Sequence, residues 1–485
     1  MDSKLIKNYL YNVLYQIVRF VIPFILVPYT LEHITADYLG IYNHAGSLMN
    51  IFILFGILGV NKYGNREIAK VRNDPRKLNT SFFEIFWMQV VNMILAMAAY
   101  YIFVSLTVHE NRVYWQLTGL TMIATMLDVT WFFFGIEDFR KASIRNMAVK
   151  ILGVVLIMSL CRKPQDLWLY ILINAGSECF GQIIMFTQLK KYVHWEPISL
   201  KNAYRNHFRA TLQLFIPTIA ISVYTMLDQP MIGYLYNETH VTYYMSSMNL
   251  VKMFLYFITS IGTVMLPRMT NVYYNDADGE EKARNYIHLT MKIACLLSFP
   301  MCLGMMAIAR NFIALYLHAS PDAAPIIGNL VWLGCPVMIF ISMSDVTGTQ
   351  YMVPTGMYRE YSASVICGSL VNVMINLMLI PKYGAYGAIV GSVIAECTVT
   401  LVQLFLVRKT LKIGFLDKSY AVYILGSVLM FAAVSKVGDL LPMSIPATLV
   451  QIAAGMVIYF VILLVTKEEL CMKVISSVKG RLNHA

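Results

Sequence analysis

The 485-residue chain is 58% hydrophobic and 13% charged, and its 38 Lys and Arg outnumber 27 Asp and Glu to give a formal net charge of +11. Soluble domains carry roughly 25% charged residues, so this composition excludes an ordinary soluble enzyme. The eight cysteines contain no C-x-x-C pair and predict neither a disulfide framework nor a zinc site. The basic excess is typical of loops that face anionic lipid, so a nucleic-acid partner is not expected.

Apolar runs close to the length of a membrane span recur from end to end. The first follows Lys4 and Lys7 and lacks a small-residue cleavage site, so we expect it to stay as a span. We predict an all-α integral membrane protein of about fourteen transmembrane helices. The runs cover residues 9–29, 39–60, 82–106, 113–134, 143–160, 167–188, 210–234, 241–266, 288–309, 324–344, 361–380, 384–406, 419–435 and 446–466.

Lysine and arginine are distributed unequally between the two sets of loops. If the N-terminus is cytoplasmic, most of them fall in cytoplasmic segments, and this bias predicts that both termini are cytoplasmic. The outer loops are short and leave no room for a catalytic domain, so we expect no catalytic residues, no metal and no cofactor. Their basic residues are Arg112, Arg162, Lys163, Arg310, Lys382 and Lys436.

The chain contains an internal repeat. Residues 42–66 align without gaps to residues 244–268 at an offset of 202, and Asp128-Val129-Thr130 recurs as Asp345-Val346-Thr347 at an offset of 217. A repeat of about six spans gives both halves the same orientation, related by an axis along the membrane normal.

This repeat predicts three parts of the chain. Residues 1–205 form a first six-helix bundle and residues 206–415 a second one. Residues 416–485 add two transmembrane helices and a cytoplasmic tail. In transporters built from such repeats the substrate site lies between the two halves.

Three passages carry a resemblance to a known family. They are the first span with Arg19, Pro23 and Pro28 followed by Gly40-Ile41-Tyr42, then DVTWFFFGIE at 128–137 followed by Asn146 and Lys150, and PKYGAYGAIVGSVIAE at 381–396. Over about residues 1–410 the chain resembles the Wzx-type oligosaccharide flippases of the polysaccharide synthesis family, in the superfamily of multidrug-and-toxin exporters and lipid II flippases. The resemblance implies a fourteen-helix fold and transfer of undecaprenyl-diphosphate-linked repeat units from the inner to the outer leaflet.

The first span carries a polar stripe. Asn12, Gln16 and Arg19 share one helical face, whereas the opposite face is Val and Leu. Charges at membrane depth usually face a wet cavity or a partner, and the stripe therefore predicts cavity-lining residues. The alternative is that Arg19 reaches the cytoplasmic interface by snorkelling.

The second span and its repeat counterpart extend this predicted cavity. Asn50 corresponds to Lys252, and Asn249 lies on the same face as Lys252. Arg19 and Lys252 are expected to contact the diphosphate, since both side chains bind phosphate oxygens. Alternatively, they pair with Asp228 or Asp128, which would neutralise a buried charge or hold a coupling ion.

Other motifs have less specific interpretations. Asp128 is a candidate protonation or cation site, and the aromatic run 131–134 after it is expected to form interfacial anchors. Gly384, Gly387 and Gly391 recur at helical spacing and predict close helix contact, not a phosphate-binding loop.

The leading hypothesis is a carrier with alternating access that works on a lipid-linked oligosaccharide. Its expected partners are membrane lipids and, beyond them, a polysaccharide polymerase and other synthesis proteins. A cation or drug exporter of the same superfamily would favour an acidic cavity. A membrane polymerase or glycosyltransferase would need a larger outer loop. A protein that serves only as a scaffold for a synthesis complex would not need a polar stripe within its spans.

Overall fold

The computed structural model describes residues 21–275, 278–411 and 418–482, and the regular structure in these ranges is helical. Backbone polar groups in hydrocarbon find no water, so helices that satisfy their own hydrogen bonds are expected of such an apolar chain. Ten helical segments of the described chain are long and apolar enough to cross a membrane. The predicted all-α membrane class is confirmed, and the count of fourteen spans stays a prediction.

The chain forms two compact units, Met1–Thr242 and Tyr243–Ala485, called unit 1 and unit 2 below. The boundaries predicted from the repeat, 1–205, 206–415 and 416–485, stay a prediction.

Within unit 1, α2 packs on α4, α3 on α7 and α8 on α9. Its helices are α1 (Val21–His33), α2 (Ala36–Ile57), α3 (Val60–Val71), α4 (Pro75–Thr107), α5 (Arg112–Gly119), α6 (Thr121–Met126), α7 (Thr130–Gly135), α8 (Phe139–Leu160), α9 (Leu167–Leu189), α10 (Leu200–Ala203), α11 (Arg209–Met226) and α12 (Asp228–Leu235). A π-helical turn, Tyr204–Phe208, joins α10 to α11, a 3₁₀ turn, Pro164–Asp166, precedes α9, and the first residues of α13 (Glu238–Asn275) also belong to unit 1.

Unit 2 takes the rest of α13 and the helices that follow. Here α17 packs on α18 and α14 packs on both α15 and α19. The helices are α14 (Gly279–Tyr316), α15 (Ala323–Gly334), α16 (Val337–Ser344), α17 (Tyr358–Tyr383), α18 (Ala385–Leu411), α19 (Lys418–Leu440), α20 (Ile445–Val465) and α21 (Glu469–Leu482). A π-helical segment, Asp345–Met352, continues directly from α16.

The aromatic run after Asp128 is part of the core of unit 1. Trp131, Phe132 and Phe133 are at most 2% exposed; the rings of Trp131 and Phe132 pack on Phe82, and the ring of Phe133 packs on Phe132. The indole Nε1 of Trp131 donates to Oε1 of Gln89 at 3.0 Å. The indole N–H therefore has a hydrogen-bond partner inside the protein and does not need one at the membrane interface. The expectation that these aromatics are interfacial anchors is therefore wrong, because the short α7 turns them inward.

The glycines of the 384–391 passage allow α17 and α18 to pack closely. A Cβ atom added at Gly387 would lie 2.6 Å from the backbone carbon of Leu379, and one at Gly391 would overlap Oδ1 of Asn376. Gly384 adopts a positive φ of 55° between the two helices. The predicted close helix contact is confirmed.

Candidate functional site

The predicted cavity residues are only partly within the described chain. Asn12, Gln16 and Arg19 lie outside the described residues. The remaining positions are distributed over both units: Asn50 is exposed on α2 in unit 1, whereas Asn249 is exposed and Lys252 half-buried on α13 in unit 2.

Asp128 stands at the break between α6 and α7. Its Oδ1 accepts hydrogen bonds from the backbone N–H of Thr130 at 2.9 Å and from the Thr130 hydroxyl at 2.5 Å. Gln89 of α4 donates to the carbonyl of Asp128 at 3.0 Å and to the carbonyls of Thr125 and Met126, which lie where the regular helical hydrogen bonds end. Asp128 therefore fixes the entry into α7.

A charge cluster surrounds Asp128. Nη2 of Arg145 donates to the Thr130 hydroxyl at 3.1 Å, which links Arg145 through Thr130 to Asp128. The carboxyl of Glu178 on α9 interacts electrostatically with Lys150, Asp128 and Arg145. Asp128, Arg145, Lys150 and Glu178, the unit 1 charge cluster, thus bring two acids and two bases together.

Arg145 was missed as a site residue in the sequence analysis. It lies near the start of the predicted span 143–160, where a basic residue is normally a cytoplasmic flank. In the structure only 7% of its surface is exposed. The available signal was its position on the same helix as Lys150, five residues before it.

A second polar group lies near the N-terminal end of α4. Nε2 of His207 is 2.8 Å from Oε2 of Glu84, and the Tyr63 hydroxyl is 2.7 Å from Nδ1 of His207. Asn206 donates to the same carboxylate at 3.1 Å. The π-helical turn that holds His207 is thereby tied to both α3 and α4.

Polar contacts also join α2 to the first turn of α13. The Thr239 hydroxyl donates to Asp37 at 2.6 Å, and Nδ1 of His44 lies 3.2 Å from Oε1 of Glu238. Asp228, the other predicted ion-pair residue, is buried in the first turn of α12, where the helix dipole favours a carboxylate. Its predicted pairing with Arg19 or Lys252 stays a prediction.

Comparison with known proteins shows the family to which the chain belongs. The family model described as "Polysaccharide biosynthesis protein" matches residues 5–273, more than half of the chain. A protein of Escherichia coli strain K12 that is named as an O-antigen transporter is 19% identical over 409 residues, which cover 83% of this chain and 96% of that protein.

Two solved structures share the fold. The lipid II flippase MurJ in an inward closed conformation superposes with a TM-score of 0.72 at 17% identity and covers 94% of this chain and 99% of its own. An inward-facing multidrug resistance transporter of the MATE family superposes with a TM-score of 0.58 at 14% identity. This match covers 82% of this chain and 98% of the transporter. These likenesses establish the fold, and the match over residues 5–273 establishes that the chain belongs to the polysaccharide biosynthesis protein family.

Proposed function

We propose that the protein is a flippase that moves an undecaprenyl-diphosphate-linked oligosaccharide repeat unit from the inner to the outer leaflet of a bacterial inner membrane. The product would supply a surface polysaccharide such as capsule, O-antigen or exopolysaccharide. The observation that carries this proposal is family membership together with a flippase fold over 94% of the chain. Both termini would be cytoplasmic, as the loop charges predict.

The physical difficulty of this reaction is the diphosphate. Transfer of an isolated anion into hydrocarbon costs far more free energy than transfer of a prenyl chain. The carrier must therefore provide polar and cationic groups at membrane depth. Lys252 is half-buried on α13, and no described Asp or Glu forms an ion pair with it. We assign it to the phosphate oxygens, with Arg19 as the second cation.

Exposed amides on the same predicted surfaces would meet the sugar. Asn50 and Asn249 are exposed within long apolar helices, where an amide without a polar neighbour is unfavourable. With Asn12 and Gln16 they offer both donors and acceptors, which suit sugar hydroxyls. The prenyl tail would stay in lipid.

The unit 1 charge cluster favours phosphate contact by Lys252 and Arg19 over the alternative that these two cations pair with Asp128. Asp128 is already engaged by Thr130, whose hydroxyl also accepts a hydrogen bond from Arg145, and Glu178 interacts electrostatically with Asp128, Arg145 and Lys150. No further cation is therefore needed to compensate Asp128, so this residue does not compete with the substrate for Lys252 or Arg19.

The test is to delete the gene and locate the lipid-linked oligosaccharide by leaflet. A membrane-impermeant lectin is applied to intact spheroplasts and to inverted vesicles. We expect complete repeat units to accumulate on the cytoplasmic face only, and wild-type protein to restore the outer-face label. Lys252→Ala and Arg19→Ala should fail to restore it, whereas Lys70→Ala, an exposed basic residue of α3, should succeed.

Two outcomes would contradict the proposal. Single repeat units on the outer face of the deletion strain, without polymer, would mean that the protein acts in polymerisation. Normal glycan transfer with loss of resistance to cationic drugs would identify an exporter of the same superfamily instead.

A further inference from the structure

The hairpin of α8 and α9 in unit 1 carries an open apolar cavity on its surface, called the α8–α9 groove below. The groove measures about 400 Å³ and lies between Leu152 and Leu156 of α8 and Leu172, Gly176 and Phe180 of α9. Cavities that hold small ligands measure about 300–1,000 Å³, so the groove is large enough for part of a lipid molecule.

Small residues keep the α8–α9 groove open. A Cβ atom added at Gly176 would meet no atom within 4 Å, and one added at Gly153 would meet only the side chain of Ser177. The large side chains at the rim do not close the space, because Leu152 stays 43% exposed and Phe180 stays 51% exposed. The packing of the hairpin therefore leaves an apolar surface that another molecule can cover.

The depth of the groove matches one leaflet of a bilayer. The two helices meet at the hairpin turn, where α8 ends at Leu160 and α9 begins at Leu167. At 1.5 Å per residue, the groove extends from about 6 Å below the end of α8, at Leu156, to about 20 Å below the start of α9, at Phe180. The hydrocarbon of one leaflet is about 15 Å deep. A spanning helix of another protein would use both leaflets, so a lipid acyl chain is the occupant that fits.

The hairpin turn above the groove is basic. Arg162 and Lys163 are exposed there, and no described Asp or Glu forms an ion pair with either side chain. Asp166, the acid of this turn, accepts hydrogen bonds from the backbone N–H groups of both residues at 2.9 and 3.0 Å. Its single charge compensates at most one of the two cations, so the turn keeps a positive charge.

A cation and an aromatic side chain stand at the mouth of the groove. Nε of Arg162 donates to the carbonyl of Ser159 at 3.3 Å, and Ser159 lies two helical turns after Leu152 on the same face of α8. On α9, Trp168 is 48% exposed and lies about one turn before Leu172. Tryptophan is enriched where membrane spans meet the headgroups, so the mouth has the composition of a lipid-headgroup contact.

We propose that the α8–α9 groove binds one acyl chain of an anionic phospholipid, with the lipid phosphate at Arg162 and Lys163. The guanidinium can hold two phosphate oxygens at once, and the ammonium adds a compact charge. Charge complementarity favours an anionic headgroup over a zwitterionic one, since the turn has an uncompensated cation. Binding requires only that the hairpin spans the membrane, so it does not depend on the proposed function.

The experiment is native mass spectrometry of the purified full-length protein in mild detergent. Dioleoyl phosphatidylglycerol and dioleoyl phosphatidylethanolamine have the same acyl chains and differ in headgroup charge, and each is titrated separately. We expect one phosphatidylglycerol to bind at least about tenfold more tightly than phosphatidylethanolamine. Phosphatidylglycerol with brominated acyl chains should also quench tryptophan fluorescence, and Trp168→Phe should remove a large part of that quenching.

A groove-filling variant tests the acyl-chain contact. Gly176→Leu places a side chain in the open space of the groove, and we expect it to weaken phosphatidylglycerol binding at least about tenfold. Gly46→Leu is the matched control, because a Cβ atom at this glycine of α2 also meets no atom within 4 Å. It should keep the affinity of the wild type.

A charge variant tests the headgroup contact. The double substitution Arg162→Gln and Lys163→Gln should reduce the affinity for phosphatidylglycerol to that for phosphatidylethanolamine. Lys382→Gln, at an exposed basic residue in the last turn of α17, should leave the preference intact. Both substituted side chains of the turn are exposed, so this variant keeps the test decisive if Gly176→Leu does not fold.

The proposal is overturned if the wild type binds the two phospholipids equally well, or if both the groove-filling and the charge variant bind phosphatidylglycerol as the wild type does. Complete displacement of phosphatidylglycerol by an equal concentration of undecaprenyl phosphate would also overturn it, because the groove would then hold a prenyl chain. Loss of binding in Gly176→Leu alone, with an unchanged headgroup preference in the charge variant, would contradict the place given to the phosphate.

Discussion

Nε2 of His207 lies 2.8 Å from Oε2 of Glu84, and both residues are less than 8% exposed although 122 residues separate them in the chain. The π-helical turn Tyr204–Phe208 presents His207 to α4, and the Tyr63 hydroxyl reaches the other ring nitrogen at 2.7 Å. The turn that leads into α11 is therefore held by one buried polar group instead of apolar packing alone.

Removal of one member of this pair should destabilise unit 1 strongly. Glu84→Leu or His207→Leu leaves the other polar group buried without its partner, and we expect a loss of about 3–5 kcal/mol. The double variant should cost much less than the sum of the two single ones. Denaturant or thermal unfolding of the purified variants measures the coupling.

Two further variants delimit this effect. Arg205→Ala changes an exposed residue two positions away and should stay within about 0.5 kcal/mol of wild type. Tyr63→Phe removes a single hydrogen bond and should cost about 1 kcal/mol. Additive single and double variants would contradict a direct Glu84–His207 interaction.

Gly40 on α2 tests the contact with the first turn of α13. A Cβ atom at Gly40 would overlap the backbone oxygen of Glu238, which is not the end of a flexible side chain. Gly40→Ala should therefore cost about 1–3 kcal/mol, because the backbone itself must move. The matched control is Gly46→Ala on the same helix, where the Cβ would meet no atom within 4 Å.

Gly46→Ala should leave stability unchanged or raise it by up to about 1 kcal/mol through helix propensity. The melting temperature should thus fall for Gly40→Ala and stay unchanged or rise for Gly46→Ala. Equal effects of both substitutions would mean that helix propensity, and not close packing, decides the result at Gly40.

Thr130 connects Arg145 to Asp128, and its hydroxyl is the only group changed by Thr130→Val. We expect this variant to lose about 1–3 kcal/mol, because Asp128 and the buried Arg145 both lose a hydrogen bond. Thr130→Ser keeps the hydroxyl and should restore most of the stability. Thermal unfolding compares them, and a loss for Ser without a loss for Val would show that the methyl packing matters instead, because Val keeps that methyl group.

Composition and periodicity predicted the features that depend on one helix at a time. The apolar runs and the glycine spacing at 384–391 are local properties, and the structure confirms the membrane class and the close contact of α17 with α18. Which helices become neighbours is not a local property. Glu84 and His207, and likewise Thr130 and Arg145, meet only through tertiary packing, and the buried Trp131 shows that an aromatic run does not reveal its own depth.

Asp74 caps α4 outside the membrane spans and gives a pH-dependent prediction. Its Oδ1 accepts the backbone N–H groups of Lys77 at 3.2 Å and Arg76 at 3.1 Å. The backbone hydrogen bond from Lys77, followed by the nearby Lys77 side chain, lowers the pKa of this carboxyl. Because the folded pKa lies below the unfolded one, the contribution is complete at neutral pH and is lost as the pH falls through the folded value.

Asp74→Asn isolates this contribution, since asparagine also caps helices but does not titrate in this range. We expect wild type to be the more stable protein at pH 7, and the difference to shrink as the pH falls below about 4. Asp74→Ala should be less stable than Asp74→Asn at every pH, because it has no acceptor for the two N–H groups. Melting temperatures of the three proteins across this pH range test the assignment, and a difference between wild type and Asp74→Asn that stays constant with pH would contradict it.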